Sequence, residues 1–142
     1  MFGALLSLCL EIRKATYWSG THCSDGSVFM LLDWWSLDAA AGITVVVAAG
    51  NNRGADACTL SPCSAAAAIT VGASTIKDTM APFSNIGSCL SLFAPGDSIT
   101  SASHKSDNGE AVMSGTSMAT PYVSGAVALY LQAYPGASPL KV

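Results

Sequence analysis

Between Leu37 and Tyr134 the apolar residues fall into short blocks separated by glycine, proline and small polar residues. "SLDAAAG", Ser36–Gly42, reads as the last turn of a helix, with Gly42 just past its end, where a left-handed conformation favours glycine. "ITVVVAA", Ile43–Ala49, is β-branched, uninterrupted and of buried-strand length. "GNNRGADA" is loop. A second strand is predicted over "AAAITVGAS", Ala66–Ser74. A third covers "CLSLFAPG", Cys89–Gly96, stopped by Pro95-Gly96, and a short fourth covers "DSITSAS", Asp97–Ser103. A helix is predicted from Ser117 to Ala133, with Pro121 tolerated in its first turn and "YPGASPL" ending it. Few polar residues lie along it. Ala119, Gly125, Ala126 and Ala128 leave room for close neighbours, so deep burial is expected. Before Leu37, "EIRKATYWSGTHCSDGSVFMLLDWWS" keeps no sustained period and predicts no element, and no internal repeat is present.

Uninterrupted apolar strands suit an α/β arrangement, a parallel sheet covered by helices. The composition agrees: of 142 residues, 51% are hydrophobic and 11% charged, which is far from a disordered profile. The net charge is −3 and the six Lys and Arg are scattered, so nothing gathers a phosphate backbone and no nucleic-acid partner is expected. No apolar run reaches the roughly 18 residues of a membrane-spanning helix, so no membrane partner is expected either. "MFGALLSLCL" makes a poor signal peptide, because it lacks a basic start and Glu11 follows at once. The five cysteines, Cys9, Cys23, Cys58, Cys63 and Cys89, are odd in number, so at least one stays outside any intrachain disulfide.

The candidate chemistry centres on Ser117, a small polar residue at the mouth of the predicted helix. A first helical turn has backbone N–H groups without intrahelical partners, and the helix dipole adds positive potential there. A carbonyl attacked by Ser117 Oγ would develop its oxyanion beside those donors. Gly115 permits close approach of backbone to substrate. Position alone favours a capping serine.

The longer string decides between these readings. "SGTSMATP" resembles the nucleophile motif of the subtilisin-like serine proteases. "VVVAAGNN" resembles that family's strand-to-loop segment carrying the oxyanion-hole asparagine. "DACTLSPCSAAAAITVGAS", "FSNIGSC" and "LFAPGDSI" are similar to connecting segments of its proteinase K branch. The resemblance runs from Leu37 to Tyr134. It divides the chain into an unassigned segment, 1–36, and the C-terminal part of a subtilisin-like peptidase domain, 37–142. It implies a partial three-layer fold, a parallel sheet flanked by helices, and peptide-bond hydrolysis through an acyl-enzyme on Ser117. It also implies that Asn51 completes the oxyanion hole, that Ala48, Ala49 and Gly50 line one wall of the S1 pocket, and that Cys58 pairs with Cys89. Cys63 lies close to Cys58 in sequence and stays open as a rival partner. Secretion is favoured on the same ground.

The pattern also breaks. The family's base is the first histidine of "H-G-T-H", oriented by the aspartate of an upstream "D-[ST]-G". In "WSGTHCSDG" the first position is Ser19, and His22 matches the second, non-catalytic histidine. Asp25-Gly26-Ser27 has the wrong letter order, Asp33 and Asp38 have no supporting pattern, and His104 sits in a polar loop. "MLLDWWS" stands where the family's "S-L-G-G" substrate strand should be, and Tyr122 replaces the histidine of "TPHVAG". Ser91 occupies a position where many relatives carry a calcium-binding aspartate. Weak or no calcium binding is therefore expected, and no cofactor. The expectation is a chain that holds the nucleophile but no recognisable base, is inactive alone, and acts on polypeptide substrate only in a complete enzyme, with a missing N-terminal part of the same domain as partner. The alternative is a non-catalytic peptide-binding module on the same scaffold.

Overall fold

The computed structural model describes residues 15–17 and 41–142. Four parallel strands form one sheet in chain order: β1 (Ala15–Tyr17), β2 (Thr44–Ala48), β3 (Ala68–Ser74) and β4 (Leu92–Pro95). β5 (Ile99–Ala102) and β6 (Glu110–Met113) make a separate antiparallel hairpin, which leads into helix α1 (Thr116–Ala133). Gly42, with φ +82°, is left-handed as a helix-ending residue would be; the preceding residues 36–40 lie outside the described ones. The expectations for Met1–Ser36 fall outside the described residues too, apart from Ala15–Tyr17, where β1 pairs with β2.

β-branched packing explains the sheet's centre. Val45, Val46 and Val47 are almost wholly buried although their side chains alternate between the two faces, so both faces of β2 are covered. On one face Val46, Val71, Ala73 and Ala94 pack against Ala119, Val123, Val127 and Leu131 of α1. A second cluster joins Ala49, Ala57 and Cys63, with Leu60 and Leu90 against it.

Two sequence expectations are corrected. The helix begins at Thr116, which makes Pro121 its sixth residue, in the second turn. Proline there lacks the N–H that would reach the Ser117 carbonyl. The helix is also buried along one face only: Tyr122, Leu129 and Tyr130 are exposed, and Leu129 keeps 68% of its surface. The fourth predicted strand is β5, and it pairs with β6, an element the sequence pattern did not predict.

The register brings the carboxyl ends of β2, β3 and β4 to one edge, the place where open parallel sheets bind ligands. The start of α1 is tied to the same edge by Gly115 N–H, which donates to the Gly96 carbonyl at 2.8 Å. Only glycine fits at 96: a Cβ there would lie 2.6 Å from Ala73 Cβ and 2.8 Å from the Gly115 oxygen.

Candidate active site

The loop after β2 carries Asn51, and its carboxamide reaches across to the helix start. Asn51 Oδ1 accepts from the Thr116 backbone N–H at 2.9 Å and from the Thr116 hydroxyl at 3.0 Å. The Thr116 hydroxyl in turn accepts from Gly50 N–H at 3.2 Å. Asn51 thus does what a capping side chain does, but from a separate element, since the N-cap residue is Gly115. Two donors on Oδ1 fix which end of the carboxamide is oxygen and turn Nδ2 the other way. Asn51 Nδ2 and the Ser117 backbone nitrogen lie 3.5 and 3.8 Å from one point, the place a side-chain carbon on Gly115 would occupy. Gly115 leaves that point open. Ser117 is half-buried and is the second residue of α1.

Asn85 holds the loop from beneath. It is fully buried. Its Nδ2 donates to the Ala49 carbonyl at 2.9 Å and to Asn52 Oδ1 at 3.2 Å, and its Oδ1 accepts from Asn52 N–H at 2.7 Å. Its backbone N–H donates to the Gly50 carbonyl at 3.0 Å. Gly50 has φ +97°, and a Cβ on it would sit 2.6 Å from Asn85 Nδ2, so conformation and space both require glycine. Gly54 N–H donates to the Ser84 carbonyl and Ile86 N–H to the Ala55 carbonyl, which continues the contact between the two segments.

A profile of the subtilase family matches residues 14–142. The chain belongs to the subtilase family. The matched range includes β1 and every described element after it. An extracellular serine proteinase of Thermus sp. (strain Rt41A) is 62% identical over 102 residues, which is 72% of this chain and 25% of that protein. The alkaline serine exoprotease A of Vibrio alginolyticus is 49% identical over 102 residues, 72% of this chain and 18% of that protein. The crystal structure of a cold-adapted subtilisin-like serine proteinase superposes with a TM-score of 0.82 at 37% identity, covering 98% of this chain and 50% of that one. The chain therefore spans a quarter or less of these two curated relatives and half of the solved structure. Its parallel sheet with α1 packed on one face corresponds to part of the α/β fold of that subtilisin-like neighbour.

In this subtilase chain the residues expected from sequence fall as follows. Asn51 and Ser117 stand together at the helix start. Ala48 and Gly50 are half-buried, whereas Ala49 is fully buried and its methyl group packs with Ala57 and Cys63. Cys58 and Cys89 form a disulfide with their Cα atoms 5.4 Å apart, and Cys63 is a buried thiol. Ser91 is exposed, and its hydroxyl accepts from Thr70 N–H at 3.1 Å. Among the described residues no three His, Cys, Asp or Glu side chains gather as a metal site. His104 is exposed in the loop between β5 and β6. Tyr122 is on the exposed side of α1. Ser19, His22, Asp25, Asp33, Asp38 and the "MLLDWWS" stretch lie outside the described residues. Sequence reasoning missed Thr116 and Asn85. Thr116 was visible only as part of the "SGTS" string, and Asn85 within "FSNIG" reads as an ordinary turn asparagine.

Proposed function

We propose that this chain carries the nucleophile and oxyanion-binding part of a subtilisin-like serine endopeptidase. Ser117 Oγ attacks the scissile carbonyl carbon, the carbonyl electron pair moves onto oxygen, and a base takes the hydroxyl proton. Asn51 Nδ2 and the Ser117 backbone N–H receive the developing charge. The amine then leaves with a proton from the same base, and water hydrolyses the acyl-enzyme. The observation that carries this reading is the convergence of Asn51 Nδ2 and Ser117 N within 4 Å of one point beside Gly115, with Asn51 Oδ1 held by Thr116. Donors fixed before reaction need no reorganisation when charge appears, which is why their placement accelerates acyl transfer.

The base and its carboxylate are the missing parts. The short "WSGTHCSDG" stretch, which resembles the tail of the family's histidine motif, has Ser19 at its first position, and the sequence contains no "D-[ST]-G" segment. On this reading the chain alone is inactive, its substrate in the complete enzyme is polypeptide, and the two motifs belong to an N-terminal part of the same domain. Ala48–Gly50 supply one wall of the S1 pocket, through their backbone at Ala49, since that methyl group is turned inward. No cofactor is proposed. At the position of the family's calcium aspartate stands Ser91, a neutral hydroxyl already accepting from Thr70, which is a poor ligand for a hard cation. An extracytoplasmic location is proposed from the name of the Thermus relative and from the Cys58–Cys89 disulfide, a bond that persists in oxidising compartments.

The test is fluorophosphonate labelling mapped to the modified residue, together with hydrolysis of a fluorogenic peptide, with Ser117→Ala as control. The chain alone is expected to match the control in both assays. Mixed with a second polypeptide bearing the "D-[ST]-G" and "H-G-T-H" motifs, it is expected to label at Ser117. Labelling of the chain alone would overturn the incompleteness; no labelling at Ser117 in the complemented, folded mixture would overturn the endopeptidase reading.

A further inference from the structure

We infer that Asn85 is a positioning residue that sets the direction of the Asn51 carboxamide. The inference rests on the reading of Asn51 as an oxyanion donor. Its basis is the distribution of Asn85's bonds on either side of Asn51. Asn85 binds Ala49 through the carbonyl, Gly50 through the carbonyl, and Asn52 through both backbone N–H and side chain. Residues on both sides of Asn51 are held, and none of these Asn85 hydrogen bonds goes to Asn51 itself. The backbone path through 49–52 is thereby fixed, and with it the one direction in which the Asn51 side chain leaves the loop, toward Thr116.

The physical conditions for rigidity are met. Asn85 is wholly buried, so its bond to the Ala49 carbonyl forms away from water, and both N–H bonds of its amide are used. Ser84 anchors the residue to the sheet: its hydroxyl accepts from Ala73 N–H at 3.0 Å and donates to the Asn85 carbonyl at 3.1 Å. A continuous set of bonds therefore runs from β3, through Ser84 and Asn85, to the loop that presents Asn51. The left-handed Gly50 leaves room for the Asn85 amide, since a Cβ on it would lie 2.6 Å from Asn85 Nδ2.

The test compares ¹⁵N-labelled wild-type chain with two variants. Asn85→Ala deletes three side-chain bonds and keeps the backbone bond to Gly50. Asn52→Ala, at an exposed position, deletes one and spares the fold. Expected in both is displacement and broadening of the Asn51 side-chain NH₂ pair and the Thr116 amide, larger in Asn85→Ala, while Val123–Leu131 amides in α1 stay in place. A second readout uses the complemented protein: the rate of fluorophosphonate labelling at Ser117 falls about 10- to 100-fold, less than or comparable to outright loss of one oxyanion donor, with an unchanged labelled end point. A residue that merely supports folding lowers the end point instead of the rate. Should Asn85→Ala fail to fold, Asn52→Ala decides alone. Asn51 and Thr116 signals that stay at their wild-type positions in the folded variant overturn the inference. Signals that move in a chain whose Ser117 never labels leave the clamp standing and remove the endopeptidase reading.

Discussion

Thr116 shows how much a single buried hydroxyl can organise. It is fully buried, donates to Asn51 Oδ1 and accepts from Gly50 N–H, and so ties the loop after β2 to the first residue of α1. Thr116→Val keeps the shape and removes both bonds, leaving Gly50 N–H without that acceptor. Thr116→Ser keeps the hydroxyl and removes a methyl group. Urea denaturation is expected to rank wild type above Ser, and Ser above Val, with Val destabilised by about 1–3 kcal/mol. Valine at or above the serine variant would show that the hydroxyl bridge contributes nothing. Asn51 and Ser117 stood out in the sequence as candidates because each sits inside a long family motif. Thr116 and Asn85 did not, because their roles are defined by partners 65 and 33 residues away. A residue type records what a side chain can bond, and only the fold records what it meets.

Strands were more legible than helix faces. Ile43–Ala49 contains β2 and Ala66–Ser74 contains β3, since long β-branched runs have few alternatives. β6, "EAVM", is four residues without alternation, and β1 is three, too short for a pattern to speak. In α1 the usual polar-out rule fails. Its buried positions, Thr116, Ala119, Thr120, Val123, Ser124, Val127, Ala128 and Leu131, recur at helical spacing and include three hydroxyls. Thr120 and Ser124 satisfy theirs within the helix, donating to the carbonyls of Thr116 and Thr120 at 2.9 and 3.2 Å. The exposed side holds Tyr122, Leu129 and Tyr130. Polarity thus gives no clue to orientation, and a contrast of alanines does. Ala119→Leu, at a fully buried site beside Gly96, is expected to cost about 1–3 kcal/mol through overpacking. Ala126→Leu, on the exposed side, is expected to stay within about 0.5 kcal/mol of wild type. Thermal unfolding reads both, and equal effects would contradict the burial of this face.

At the scale of the whole molecule, two long connections without α-helix have to be held in place. The segment after β2 and the segment before β4 run beside each other, and they are joined at both ends of their contact. Asn85 joins them near the site, and the Cys58–Cys89 disulfide joins them farther along, across a sequence separation of 31 residues. The sequence alone left Cys63 as a rival; the fold instead buries that thiol with Ala49 and Ala57. Chain-entropy arithmetic for a loop of this length gives about 3–4 kcal/mol of stabilisation by constraint of the unfolded chain. Cys89→Ser is expected to lower stability by up to that amount in urea and to make it insensitive to reductant. Wild type treated with reductant should fall to the same midpoint. Cys63→Ala separates packing from cross-linking: it is expected to destabilise through loss of a buried side chain, yet to keep the full response to reductant. If Cys63→Ala abolishes that response and Cys89→Ser preserves it, the cross-link runs through Cys63, and the disulfide is not what joins the far ends of the two segments.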